Sequence, residues 1–204
     1  MWSSKSPTPD VFETIKKYNI PVSASILDLG CGEGRDSIFL LDNGYNVLAV
    51  DYSDTVIEKC RKLIQNKYNS KFRQFDIMSD VMDEKFDFIY SIAVIHMFVS
   101  EKHRNKFYSF IYDHLKDDGA ALIVSMGDGK KVYESDIKNS FNDVERVVLN
   151  KDEKINIAAT SCRIVDWDGF ESELLNNNLI IKEKWVSENI PEFNSMMCVV
   201  VSRG

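Results

Sequence analysis

A chain of 204 residues lies within the size of one domain, about 50–250 residues, and can bury a core without disulfides or metal. With 44% hydrophobic and 28% charged residues it has the make-up of an ordinary globular protein, and its net charge of −7 disfavours nonspecific binding to a phosphate backbone, a local basic patch aside. There is no apolar run near the ~20 residues of a membrane span, no apolar signal-peptide core in the first ten residues, and no C-x-x-C or zinc-ligand spacing among Cys31, Cys60, Cys162 and Cys198. These features predict a reduced, cytoplasmic setting, with no membrane or nucleic-acid partner and no metal.

Residues 1–9 hold two prolines and three serines and read as a loose arm. Thr8 or Asp10 is placed to cap a short helix from about Val11 to Asn19, with Phe12, Ile15, Lys16 and Tyr18 on its partly apolar face. Ile26, Leu27 and Leu29 make a short apolar run of the kind found in buried parallel strands. Gly30, Gly32 and Gly34 follow at every second position, where the backbone can take positive φ and approach a ligand. Glu33 to Asn43 reads as a helix stopped by Asn43-Gly44, and Val47 to Val50 as a second strand ending at Asp51, 21 residues after Gly30. Strand, glycine turn, helix and carboxylate-ended strand form one nucleotide-binding βαβ unit.

Ser53 or Asp54 caps the next helix, through Val56, Ile57, Cys60 and Ile64, with Cys60 on the apolar stripe. Lys71 to Phe75 is a third strand with Asp76 at its end, and Phe86 to Ser91 a fourth, followed by Ile92 to Phe98. Glu101 to Leu115 is an amphipathic helix, in which His103 and His114 are expected at the surface. A turn at 116–119 precedes a fifth strand, Ala120 to Ser125. Gly127-Asp128-Gly129 then opens a connection to residue 165, far longer than the usual 2–6 residues, with 142–149 and 155–165 reading as an inserted hairpin. Asp166 or Asp168 caps a helix through Phe170, Leu174 and Leu175. Leu179 to Trp185 and Met196 to Ser202 are two last strands, joined across Pro191, and Trp167 and Trp185 read as core.

The glycine turn separates two cofactors. The dinucleotide fingerprint sets its third glycine one place later, where Arg35 stands, and the Asp28 carboxylate suits a cationic ligand better than a pyrophosphate. The run D-x-G-x-G-x-G from Asp28 resembles the first motif of the class I S-adenosylmethionine (SAM) methyltransferases. Two further stretches resemble the family: F-D-x-I-x-S-x-x-V-x-H from Phe86 to His96, and K-x-x-G-A-x-L-I-V from Lys116. The resemblance covers 24–125 by motif and 166–204 by topology.

It implies an α/β fold: a single doubly wound domain over 1–204, its seven-stranded, mostly parallel sheet having the last strand antiparallel, with a substrate lid at 127–165. It implies S-adenosyl-L-methionine as cofactor and S-adenosyl-L-homocysteine as product, bound by Asp28, Gly30, Cys31, Gly32, Gly34 and Arg35 at the turn. Asp51 would take the ribose hydroxyls with Tyr52 beside it, Asp76, Ile77 and Met78 the adenine, and Ser91 and Ile92 would lie beside the transferring methyl. His96 is the candidate base, or alternatively packs under the adenine. In the family the N-terminal segment often closes over the cofactor, so Trp2 and Tyr18 either line the site or pack on the sheet.

The acceptor expected is a small molecule, and the protein a monomer or homodimer. Ser91-Ile92-Ala93-Val94 stands where adenine-methylating relatives carry N-P-P-Y, and Lys130-Lys131 is no basic track. Cys162 could hold a soft metalloid acceptor, although metalloid enzymes rely on several convergent cysteines. The Gly34-Arg35 pair resembles that of tellurite-resistance and thiopurine-type enzymes but is common in the family. Rival readings are protein or RNA methylation, a nicotinamide (NAD)-dependent oxidoreductase sharing the first βαβ unit, and a binding protein that holds SAM without catalysis.

Overall fold

A computed structural model describes residues 7–65, 67–135, 161–190 and 193–204, and the backbone of 143–147 and 154–158. Helix α1 (Pro9–Lys17) leads into β1 (Ser25–Leu29), α2 (Arg35–Asp42), β2 (Asn46–Asp51), α3 (Asp54–Leu63), β3 (Phe72–Gln74) and β4 (Phe86–Ile92). A 3-10 turn at Ile95–Met97 precedes α4 (Glu101–His114) and β5 (Leu115–Met126). Then come β6 (Tyr133–Glu134), β7 (Asp143–Val147), β8 (Lys154–Ala158), β9 (Arg163–Ile164), α5 (Trp167–Asn176), β10 (Leu179–Ser187) and β11 (Met196–Arg203).

The seven-stranded sheet runs β10-β11-β5-β4-β1-β2-β3. Its pairs from β5 to β3 are parallel, whereas β11 lies antiparallel to both β5 and β10. Both faces of the central strands are covered, which is why β1, β4 and β11 are mostly apolar, whereas the edge strand β10 alternates in burial. In β11 the period-2 geometry sends Met197, Val199 and Val201 to one core and Met196, Cys198 and Val200 to the other. The first core is closed by Phe107 and Ile111 of α4 and Phe170 and Leu174 of α5, the second by Val11, Ile15, Leu40 and Ile57 of the first three helices. Cys60 belongs to this second core, as its place on the stripe predicts.

The strand order reverses between β1 and β4, so a crevice opens beyond the carboxyl ends of those two strands. The base of the 127–165 connection is the antiparallel pair β6–β9, and β7–β8 pair as the expected hairpin with Asp143 opposite Ala158.

Three local expectations need correction. Residues 7–9 are not loose, because Thr8 is buried: its N–H and hydroxyl donate to Asp36 at 2.6 and 2.8 Å, so the side chain does not cap α1. The turn at 116–119 is a bulge inside β5, whose pairing with β4 jumps from Phe86–Leu115 to Phe88–Ala120. His114 is half-buried rather than on the surface, stacked on Phe110 with ring nitrogens 2.7 Å from the Phe110 carbonyl and 2.9 Å from that of Met82. His103 is exposed as expected.

Helix α1 is fixed to the far end of the chain as well. Asp10, buried, accepts from Trp185 Nε1 and Ser187 Oγ of β10, both at 2.8 Å. Tyr18 packs against the second core, and Trp2 lies outside the described residues.

Candidate functional site

The glycine bend is built by backbone bonds. Gly30 N–H and Cys31 N–H both donate to the Val50 carbonyl at 2.9 Å, and Gly34 N–H to the Cys31 carbonyl at 2.9 Å. The three glycines have φ of +85°, +53° and +75°, and they differ in what surrounds them. A Cβ at Gly30 would meet Val94 Cγ2 at 2.4 Å, and one at Gly34 would meet Phe72 Cε1 at 2.8 Å. At Gly32 a Cβ would meet nothing within 4 Å. Gly30 and Gly34 thus let protein pack on protein, while Gly32 leaves its backbone bare toward open space.

Asp51 stands beside that space. Its Oδ2 accepts from Gly32 N–H and its Oδ1 from Ser53 N–H, both at 2.9 Å. An ionised carboxylate offers about four lone-pair sites, so two remain to receive a diol. A bare glycine backbone next to a fixed carboxylate suits a ribose, and the residues present fit the nucleoside of SAM. Tyr52 follows, 72% exposed.

The other expected residues fall round the same crevice with different duties. Asp28 is buried beneath the bend, accepting from Ser37 Oγ at 2.6 Å, with Tyr90 Oη 3.2 Å from that hydroxyl. Burial, with a smaller push from Asp36, raises its carboxyl to about 8 against the pull of the Ser37 and Tyr90 hydrogen bonds. Cys31 Sγ and Cys60 Sγ lie 3.6 and 3.3 Å from the Gly32 carbonyl, and the Cys60 thiol, then burial, push the Cys31 thiol well up. The Arg35 guanidinium bonds Thr8 Oγ1 at 2.5 Å and Asp36 at 3.2 Å, tying the bend to α1.

Asp76 closes its own turn, accepting from Met78 N–H at 2.8 Å and Ser79 Oγ at 3.0 Å, with Ile77 and Met78 half-buried beside it. The buried Ser91 hydroxyl donates to the Leu29 carbonyl at 2.7 Å and pins β4 to β1, while Ile92 is half-buried at the strand end.

His96, on the 3-10 turn, is 7% exposed, with the ring edge-on to Phe193 at 6.3 Å. Its buried Nδ1 has no hydrogen-bond partner among the described residues. Burial, and then the Arg104 charge, pull its pKa down to about 4, so the ring is neutral at physiological pH.

Sequence reasoning missed two features here. Ala93, between β4 and the turn, has φ +59°, a strained position of the kind stored at functional sites. Arg104, 1% exposed, donates from Nε and Nη2 to Glu173 at 2.8 and 2.6 Å and from Nη1 to the Ile95 and Phe98 carbonyls at 2.9 and 3.2 Å. The only hint was an arginine on the apolar side of a helix.

Cys162 is half-buried, its N–H bonded to Ser135 Oγ at 3.0 Å, and burial raises its thiol. No cluster of three metal-ligating side chains occurs among the described residues. Trp167 stacks on Phe170 at 6.3 Å and fills the place a Cβ on Gly129 would need. No described helix is long and apolar enough to cross a membrane.

A family model described as tellurite resistance protein TehB matches residues 5–154. A curated relative from Haemophilus influenzae, a probable SAM-dependent methyltransferase TehB, is 31% identical over 101 residues, 49% of this chain and 35% of that protein. The chain spans about a third of the length of the first curated relatives it matches. Among solved structures, the glycopeptide N-methyltransferase MtfA complexed with SAM superposes with a TM-score of 0.71 at 18% identity, over 98% of this chain and 95% of that one. A Burkholderia thailandensis 1,6-didemethyltoxoflavin-N1-methyltransferase superposes at 0.73 with 15% identity, over 98% and 80%. At such identities the likeness is one of fold, and that fold is the class I methyltransferase α/β sheet.

Proposed function

From the premise that the chain belongs to the TehB family, we propose that it is a SAM-dependent methyltransferase acting on a small-molecule acceptor. The observation that carries this reading is the open space over Gly32 with the Asp51 carboxylate locked beside it, a seat for a ribose rather than for a pyrophosphate. Bound SAM supplies a methyl group on a positively charged sulfur, ready for in-line displacement. What the chain contributes is alignment and a site preorganised for the charge change.

Asp51 accepts the ribose hydroxyls, and the Asp76 turn with Ile77 and Met78 flanks the adenine. Asp28, buried under the bend, steadies the turn through its hydrogen bond from Ser37. Across the crevice, neutral His96 receives a hydrogen bond from the acceptor and orients its nucleophilic atom. With a pKa of about 4 it is a weak base, so orientation outweighs proton removal. The connection at 127–165 covers the acceptor, which enters without nucleic acid or membrane, and the active form is a monomer or homodimer.

Calorimetry tests the cofactor: SAM should bind and NAD should not, and tighter binding of NAD would overturn the reading. Labelled SAM offered with thiols, amines, phenols and tellurite should give methyl transfer to at least one. Binding without any turnover would mean a protein that holds SAM without catalysis. His96→Ala should lower turnover and leave SAM affinity nearly intact, whereas a large loss of SAM binding would place His96 under the adenine instead.

A further inference from the structure

The His96 ring has little of its own to hold it: Nδ1 is unbonded among the described residues, and the 3-10 turn is closed by two backbone bonds, Met97 N–H to Val94 O at 2.9 Å and Phe98 N–H to Ile95 O at 3.1 Å. So short a turn does not fix its own position. Its carbonyls are instead held from outside. Arg104 of α4 takes those of Ile95 and Phe98. Ser161 Oγ donates to the Met97 carbonyl at 2.9 Å, and Arg163 Nη1 to the Val99 carbonyl at 3.2 Å. Four of five successive carbonyls, 95 and 97–99, thus accept from three side chains.

Ser161 and Arg163 both sit on the returning limb of the 127–165 connection, where Arg163 begins β9. Arg163 also lies 3.6 Å from Glu173, the carboxylate that grips Arg104 and accepts from Tyr108 Oη at 2.8 Å. One carboxylate on α5 therefore ties the two arginines that hold the turn.

We propose that Ser161 and Arg163 are positioning residues for His96, bolting the returning limb to the turn so that limb and ring move as one body. A ligand that seats against the limb then sets where the imidazole stands. This rests on the reading of His96 as the group facing the acceptor. The Arg163 fork gives a charge-assisted hydrogen bond to Val99 O and an ion pair to Glu173 from two different nitrogens, which suits an arginine rather than a lysine at the outer end of the turn.

The test follows the imidazole signals of the three histidines by NMR in ¹³C-histidine-labelled full-length protein, with SAM affinity measured in parallel. In a Ser161→Ala/Arg163→Gln double variant, the His96 signal should move and its titration midpoint climb by about one pH unit or more as the ring hydrates, Arg104 still being present. The His103 and His114 signals should stay in place and SAM affinity hold within about twofold. Arg163→Lys in an otherwise unchanged chain should lie between the two, since one charged donor remains.

An unmoved His96 signal in the double variant would overturn the proposal. So would equal movement of all three histidines, which marks general loosening. Wild-type protein that fails to bind SAM would sink the methyltransferase reading instead, and the His96 signal would still report on the bolt.

Discussion

The two sides of the crevice are built by different means. On the cofactor side the defining contacts are close in sequence: Ser37 to Asp28 spans 9 residues and Gly32 to Asp51 spans 19. On the acceptor side they are remote: Arg104 to Glu173 spans 69, and Ser161 to Met97 and Arg163 to Val99 span 64 each. The first side is backbone geometry with two carboxylates, Asp28 and Asp51, and the second is a web of side chains around a short turn. A cofactor common to a whole family can be served by a fixed backbone cradle.

Substitutions can break this contrast, beginning with the costliest. Arg104→Ala takes the main ion-pair partner from half-buried Glu173, leaving it Tyr108 and Arg163, and takes the donor from the Ile95 and Phe98 carbonyls; it should cost about 3–5 kcal/mol in urea unfolding, the scale for one partner lost from a buried ion pair. A cost below about 1 kcal/mol would show that the web carries little of the fold. Gly34→Ala combines positive φ with a collision on Phe72 and should cost about 2–4 kcal/mol. Gly32→Ala should cost only about 1 kcal/mol of stability yet remove SAM binding, because the added methyl takes the cofactor's space. If both alanines weakened stability alike and spared SAM, the division of labour among the glycines would be wrong.

Asp51→Ala should weaken SAM binding by about 1–3 kcal/mol in calorimetry, with unfolding little changed. Asp28 gives an effect that depends on pH. Its native carboxyl titrates near 8 against an ordinary value of 3.8, so between these values the folded state keeps a proton that the unfolded chain has released. Stability therefore falls as pH rises through that window. Asp28→Asn should make the ligand-free protein more stable at pH 8, with the gain fading toward pH 4. A gain that does not depend on pH would refute the buried-carboxyl account.

The same contrast explains what could be read before any coordinates. The first βαβ unit, the glycine bend, Asp51 at the end of β2 and the Asp166 cap of α5 follow from periodicity and turn chemistry acting over a few residues, whereas the seven-stranded sheet follows from the resemblance to the family. Arg104 could not be read, because a buried arginine looks like any charged helical residue until Glu173, Ile95 and Phe98 are brought round it. Nor could Thr8, whose hydroxyl serves Asp36 instead of its own helix. At 116–119 the glycine and two aspartates read as a turn, but strand pairing on either side absorbs them as a bulge. Ala93 carries its positive φ without the glycine or asparagine that would have signalled it.

The Asp10 anchor has a consequence for biosynthesis. Its partners, Trp185 and Ser187, are 175 and 177 residues downstream, so α1 gains these buried bonds only after β10 has been translated.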